Sequence, residues 1–69
     1  MKISARNTFA GTVTAISNGP VSTEVTIKIA PTLDIVSVIT TKSAKKLKLK
    51  VGTKAYAIVK SDSVIVGTD

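Results

Sequence analysis

The sequence has no cysteine and no histidine, and only four of its 69 residues are acidic. The missing residue types exclude disulfides, a thiol nucleophile, the common zinc sites and the usual general base of hydrolytic enzymes. We therefore expect no catalytic step and no directly ligated metal cation. A domain of this size buries only about 60% of the surface that its unfolded chain exposes, so it needs a further source of stability. With disulfides and common metal sites excluded, we expect self-association to supply this stability.

Aromatic residues and long apolar runs are also scarce. Phe9 and Tyr56 are the only rings, and the 43% hydrophobic content is mostly Val, Ile and Ala. The β-branched members of this set favour strands. No apolar run approaches the ~20 residues of a membrane-spanning helix, and the opening segment lacks the apolar core of a signal peptide. We expect a cytoplasmic protein without a membrane partner.

Positive charge dominates the chain, with ten Lys and Arg residues against four acids and a net charge of +6. Such a balance attracts nucleic acid, acidic membrane surfaces or small oxyanions. Six of the basic residues form one stretch, here called the lysine cluster: Lys42, Lys45, Lys46, Lys48, Lys50 and Lys54. This cluster suits a solvated surface or a nucleic-acid groove. Single-strand binders also use aromatic platforms, worth ~1–3 kcal/mol per base, and this chain has few rings to offer.

The hydrophobic pattern predicts an all-β fold. Residues 21–29 alternate strictly between apolar and polar side chains, which indicates a strand with one buried face. Further strands are expected at residues 3–16, 34–41, 55–60 and 64–66, with a bend or bulge at Gly11, burial of Val38 and Ile39, and a short helix capped by Ser43. Three strands, a helix and two strands are the order of an OB-type Greek-key barrel. We predict one such five-stranded domain over residues 1–69, in an oligomer.

Two segments carry groups that suit a tetrahedral dianion. Residues 4–7 supply a hydroxyl, a guanidinium and an amide, and residues 60–63 supply an ammonium and hydroxyls beside a turn. Charge-assisted hydrogen bonds of good geometry are worth ~1.5–3 kcal/mol each. From the residues alone, both segments are equally compatible with ordinary polar surface and a turn.

The same segments resemble those of a known family. Residues 2–7 look like the I-S-A-R-N opening of the molbindins, which are small molybdate-binding proteins. Further segments are similar to family patterns at matching separations: residues 11–13 to G-x-V, 18–25 to G-x-V-x-x-E-V, 47–52 to L-x-L-x-x-G, and 57–66 to the closing A-x-V/I-K-[SAT] segment and final strand. The chain departs from the family where Ala30-Pro31-Thr32 replaces a glycine-rich loop, and where lysines replace the acids around the helix.

The resemblance implies a stand-alone molbindin: a hexamer of OB-type subunits that stores molybdate or tungstate at subunit interfaces for homeostasis, without an organic cofactor. Carried over residue by residue, the principal ligands are Ser4, Ala5, Arg6, Lys60 and Ser61. The second-tier ligands are Asn7, Gly19, Ser22, Thr23 and Ser37. For the last four, turn or sheet packing is at least as good an explanation, and the side-chain amide of Asn7 could instead brace the opening segment. The alternative function is an OB-type protein that binds single-stranded nucleic acid.

Overall fold

The fold is a curled antiparallel sheet with one short helix. The computed structural model describes residues 2–69, so Met1 of the predicted domain lies outside it. Its elements are β1 (Asn7–Asn18), β2 (Ser22–Ala30), β3 (Leu33–Thr40), α1 (Thr41–Lys46), β4 (Lys54–Val59) and a 3₁₀ turn at Ser61–Ser63. Across residues 2–69, no helix is long and apolar enough to span a membrane.

The strand β1 lies at the centre of the sheet, whose order is β3-β2-β1-β4. Its first half pairs with β4, its second half pairs with β2, and Thr12 has a partner in both. The register with β2 shifts between Val13 and Ala15, which leaves Thr14 unopposed. The bulge predicted at Gly11 is therefore at Thr14, just beyond the point where β1 changes partner. Such a bulge increases the local twist and curls the sheet.

Gly11 has a different role, because it allows β1 and β2 to approach closely. A Cβ at this position would lie 2.5 Å from the carbonyl oxygen of Lys28 and 2.8 Å from Cγ2 of Ile27. Both distances are shorter than van der Waals contact. Glycine is thus required by the space between the strands.

The core is small and is centred on β2. The predicted alternation is confirmed for Thr23, Val25 and Ile27, which are buried, whereas Val21 is 73% exposed. Val13 from β1 and Ala57 from β4 complete the core cluster. The predicted burial of Val38 is wrong for the isolated chain, since this residue is 68% exposed on the outer strand β3.

The helix begins earlier than predicted. Thr40, not Ser43, is the N-cap residue, and its Oγ1 accepts a hydrogen bond from the main-chain N–H of Ser43 at 3.0 Å. The N–H of Thr41 donates to the carbonyl of Val21 at 2.8 Å, so the helix start is fixed against the β1–β2 turn. The helix thus follows β3 directly, and its cap comes from the last residue of the strand.

The predicted fifth strand is not part of the sheet. Residues 64–69 have no regular structure, and Ile65 and Val66 are 95% and 85% exposed. Within residues 2–69 the sheet therefore has four strands and is not a closed five-stranded barrel, and β3 and β4 are its edges. A strand needs a partner edge, and the tail after the Ser61–Ser63 turn reaches none in its own chain.

Candidate functional site

The pairing of β1 with β4 brings the two ends of the sequence together. Asn7 opposes Val59 in the antiparallel register, so the residues before Asn7 and those after Val59 lie at the same end of the sheet. They line one shallow cavity of about 390 Å³, which we call the end cavity: Ser4, Ala5, Arg6, Lys60, Ser61 and Asp62. All five principal residues predicted from the sequence thus lie around one cavity. That they bind an anion stays a prediction.

The end cavity carries more positive than negative charge. Arg6 and Lys60 contribute two cations, and Asp62 contributes one carboxylate. Lys60 Nζ lies 4.0 Å from Asp62 Oδ2, with both side chains about three-quarters exposed at 77% and 75%. Such a loose surface pair contributes little to stability, so Lys60 is able to turn toward another anion at small cost. No carboxylate within residues 2–69 forms a salt bridge with Arg6.

Hydrogen-bond donors accompany these charges. Ser4 and Ser61 bring hydroxyl groups to the cavity. In the described part of the chain, the N–H groups of Ser4 and Ala5 donate to no other main-chain group. N–H groups that are not used in strand pairing suit a fully deprotonated oxyanion, which accepts hydrogen bonds and donates none.

Sequence reasoning overlooked Asp62 as a lining residue. It lies between Ser61 and Ser63 in the 3₁₀ turn, which is closed by a 2.9 Å hydrogen bond from the N–H of Ser63 to the carbonyl of Lys60. The available signal was its position two residues after Lys60, because a turn that begins at Lys60 keeps the next residues close to Lys60. A carboxylate there opposes a dianion and partly neutralises Lys60 when no anion is bound.

The second-tier residues Gly19, Ser22 and Thr23 lie at the β1–β2 turn, away from the end cavity. Thr23 is fully buried, and its Oγ1 lies 2.9 Å from Thr41 Oγ1 and 3.3 Å from Asn18 Oδ1. The hydroxyl of Thr41 in turn donates to the carbonyl of Gly19 at 2.6 Å. In the isolated chain Thr23 therefore joins the turn to the helix and has no surface to offer a ligand.

Gly19 instead lines a separate cavity of about 360 Å³ beside α1, together with Asn18, Thr41, Lys45 and Lys48. Of the remaining second-tier residues, Ser37 is on the other edge strand, β3, but the curl of the sheet places it on a cavity of about 500 Å³ that Lys60 and Ser63 also line. Asn7 opens β1 next to the end cavity but does not line it.

The aromatic residues do not form a stacking platform. Phe9 opposes Ala57 and Tyr56 opposes Ala10, so the two rings belong to successive positions of the β1–β4 ladder. Successive positions of a ladder point to opposite faces of the sheet. Neither ring belongs to the lysine cluster, whose members take part in no salt bridge within residues 2–69. The geometry thus lacks the pair of aromatic surfaces that single-strand binding uses.

The curled sheet and its short helix define a small all-β domain of the TOBE type, and the TOBE domain model matches residues 3–66. The chain is 45% identical over 69 residues to the probable molybdenum-pterin-binding protein of Haemophilus influenzae, covering 100% of both chains. It is 51% identical over 69 residues to the molybdenum transport protein ModE of Herbaspirillum seropedicae, but covers only 26% of that protein.

Two solved structures agree with these relatives. MopII from Clostridium pasteurianum superposes with a TM-score of 0.91 at 37% identity, covering 97% of this chain and 100% of that one. The cytoplasmic molybdate-binding protein ModG, solved with molybdate bound, gives 0.83 at 44% identity over 88% of this chain and 43% of that one. The chain belongs to the molbindins, the Mop-type molybdenum-pterin-binding proteins built on a TOBE domain.

Proposed function

We propose that the protein binds molybdate, or the similar tungstate, in the end cavity, as a cytoplasmic storage and homeostasis protein without a catalytic step. The observation that carries this proposal is the meeting of Arg6, Lys60 and two serine hydroxyls around one cavity. Relatives whose names refer to molybdenum or molybdate support it. No organic cofactor and no metal cation enters the proposal.

Each group in the cavity has a distinct part in holding a tetrahedral dianion. The Arg6 guanidinium offers a planar pair of N–H donors, and the Lys60 ammonium acts as a point charge with three donors. Ser4 and Ser61 donate from their hydroxyls, and the free N–H groups near Ala5 add main-chain donors. The two cations match the two negative charges of the anion, while Lys60 leaves Asp62 to reach it.

The end cavity is shallow, so one chain covers only part of an anion. Ser4, Arg6, Lys60 and Ser61 are all exposed in the isolated chain. We therefore place the binding site at a subunit interface in a homo-oligomer, as a hexamer of single OB-type domains, in which a second copy covers the open side. Several exposed apolar side chains support association, among them Val21, Val38 and Val51. Gly19, Ser22 and Thr23 remain secondary candidates that neighbouring copies would have to bring to a site. Ser37 remains a secondary candidate that already lines a cavity with Lys60 in the same chain.

Calorimetry with molybdate, tungstate, sulfate and phosphate tests this function. We expect similar affinities for molybdate and tungstate, which share charge and nearly share size, and much weaker binding of sulfate and phosphate. Loss of one charge-assisted bond in Arg6→Gln or Lys60→Gln corresponds to about a 10- to 100-fold weaker affinity. Lys46→Gln in the lysine cluster is the matched control, because it removes the same charge from an exposed position outside the cavity.

Two results would contradict the proposal. Equal affinity for sulfate would make the cavity a general anion patch. Unchanged molybdate binding in both Arg6→Gln and Lys60→Gln would place the ligand elsewhere.

A further inference from the structure

Four members of the lysine cluster lie on the short helix α1 or directly after it, and we call them the helix lysines: Lys42, Lys45, Lys46 and Lys48. All four are exposed, and none of them forms a salt bridge within residues 2–69. No acidic residue occurs between Asp34 and Asp62, so the neighbouring sequence offers no carboxylate to neutralise them. The surface of α1 is therefore a concentrated positive patch.

The position of Lys42 opposes the stability of the helix. It lies in the first turn, where the helix dipole favours an acidic residue, and this turn has none. It also precedes Lys45 by three positions and Lys46 by four, so like charges are neighbours on the helix surface. Lys45 and Lys46 lie in the last turn, where the dipole does favour a positive charge. Local helix stability thus explains these two lysines but not Lys42.

Lys48 occupies a backbone conformation that favours glycine. Its φ is 55°, and among the described residues it is the only one besides glycine with a positive φ. It follows the C-cap residue Leu47, and its N–H donates to the carbonyl of Lys45 at 3.0 Å while the N–H of Leu49 donates to that of Ala44 at 3.2 Å. This is the Schellman arrangement, in which glycine is the usual residue at the left-handed position. A side chain there costs backbone stability, and what Lys48 adds to the surface is a positive charge.

The chemistry of this patch distinguishes between classes of partner. The single apolar residue of α1, Ala44, is buried, and Leu47 after the helix lines a cavity of about 380 Å³ with Val25, so the patch presents no apolar face to a lipid surface. The cores of protein interfaces are depleted of lysine. The phosphate backbone of nucleic acid instead needs several cations, which lysine supplies as point charges. Because the helix lysines include no arginine and no ring, they suit the backbone and not the bases.

We propose that the helix lysines form a docking surface for the phosphate backbone of duplex nucleic acid, which they bind without reading its sequence. Duplex DNA carries one negative charge per about 1.7 Å of its axis, so a patch of four cations meets several phosphates at once. Residues three or four apart on a helix have Cβ atoms about 5–6 Å from each other, and the flexible lysine stems let each ammonium group reach a separate phosphate. Arg6 and Lys60 are not part of this surface, so the proposal does not rest on the function proposed for the end cavity.

Fluorescence anisotropy with a labelled DNA duplex, measured across a salt series without molybdate, tests this surface. The slope of log K against log salt changes by about 0.9 for each phosphate contact. The double variant Lys45→Gln and Lys48→Gln should therefore make the slope shallower by about 1.8 for each copy in contact with the duplex. The double variant Lys2→Gln and Lys28→Gln is the matched control, because it removes the same charge from exposed positions outside the lysine cluster. We expect the control to keep the slope of the natural chain.

Lys48→Gly separates the charge of this residue from its backbone strain. Glycine adopts the left-handed conformation readily, so we expect a higher urea midpoint than in the natural chain together with a shallower salt slope. A lower midpoint would show that the lysine side chain serves the fold, and would remove the argument from Lys48.

Other anionic partners complete the test. Vesicles of phosphatidylserine and phosphatidylcholine, and poly-glutamate, should displace the labelled duplex less well than unlabelled duplex does at equal charge concentration. A single-stranded oligonucleotide of the same length should bind more weakly than the duplex, because its charge density is lower. The proposal is wrong if any of these partners equals the duplex, or if the two double variants change the slope equally. Molybdate calorimetry reports the end cavity separately.

Discussion

Replacing Gly11 by alanine tests how closely β1 and β2 must approach. The added Cβ would lie 2.5 Å from the main-chain oxygen of Lys28, 2.8 Å from Ile27 Cγ2 and 2.9 Å from Ile29 Cδ1. The oxygen belongs to the backbone of the neighbouring strand and cannot rotate away, so β1 must move. Overpacking of this kind costs about 1–3 kcal/mol. We expect the free energy of unfolding of Gly11→Ala to fall by that amount.

Urea unfolding followed by circular dichroism measures the change, with every variant at the same protein concentration because the proposed association would contribute to stability. Gly67→Ala is the matched control, since a Cβ at this position meets nothing within 4 Å and its φ is not positive. We expect the control to lie within about 0.5 kcal/mol of the natural chain. If Gly11→Ala were as stable as the control, the close approach of β1 and β2 would be refuted.

Two further predictions concern the buried turn and the ligand. Thr23→Val keeps the shape of a fully buried side chain but removes the hydroxyl next to Thr41 and Asn18. Thermal unfolding should show that the free energy of unfolding falls by about 0.5–1.5 kcal/mol. Ser22→Ala, at the exposed neighbouring position, is the control and should leave the free energy of unfolding nearly unchanged. Equal losses in both variants would remove the structural role assigned to Thr23. Molybdate at 100 times its dissociation constant should stabilise the protein by about 2.7 kcal/mol, and an unchanged melting midpoint at saturating molybdate would contradict binding to the folded state.

Local patterns predicted the parts of the fold that local physics determines. The alternation in β2 identified the buried face because its period is a property of the strand itself. The meeting of Arg6 and Lys60 was anticipated from the family resemblance, and the structure explains it through the antiparallel pairing of β1 with β4. The first prediction needed only the pattern of one strand, and the second needed the family resemblance because the pairing of β1 with β4 is not visible in the sequence alone.

The errors arose where partners distant in sequence decide the outcome. The bulge lies at Thr14, just after β1 changes its pairing partner from β4 to β2 near Thr12. The hydrophobic pattern of β1 does not show where this change of partner occurs. The exposure of Val38 depends on which strand, if any, lies beyond β3. Residues 64–66 have strand-forming side chains but no edge to pair with in their own chain, so composition alone gave a fifth strand that the isolated fold lacks.

Charge and apolar surface act in opposite directions on the association proposed for this chain. Each chain carries a net charge of +6, so copies repel each other over the Debye length of about 8 Å at physiological salt. Apolar contact between copies leaves this repulsion in place, whereas a dianion bound between Arg6 and Lys60, as proposed, would neutralise it at an interface between copies. Linkage is reciprocal, so the factor by which association tightens anion binding is the factor by which the anion tightens association.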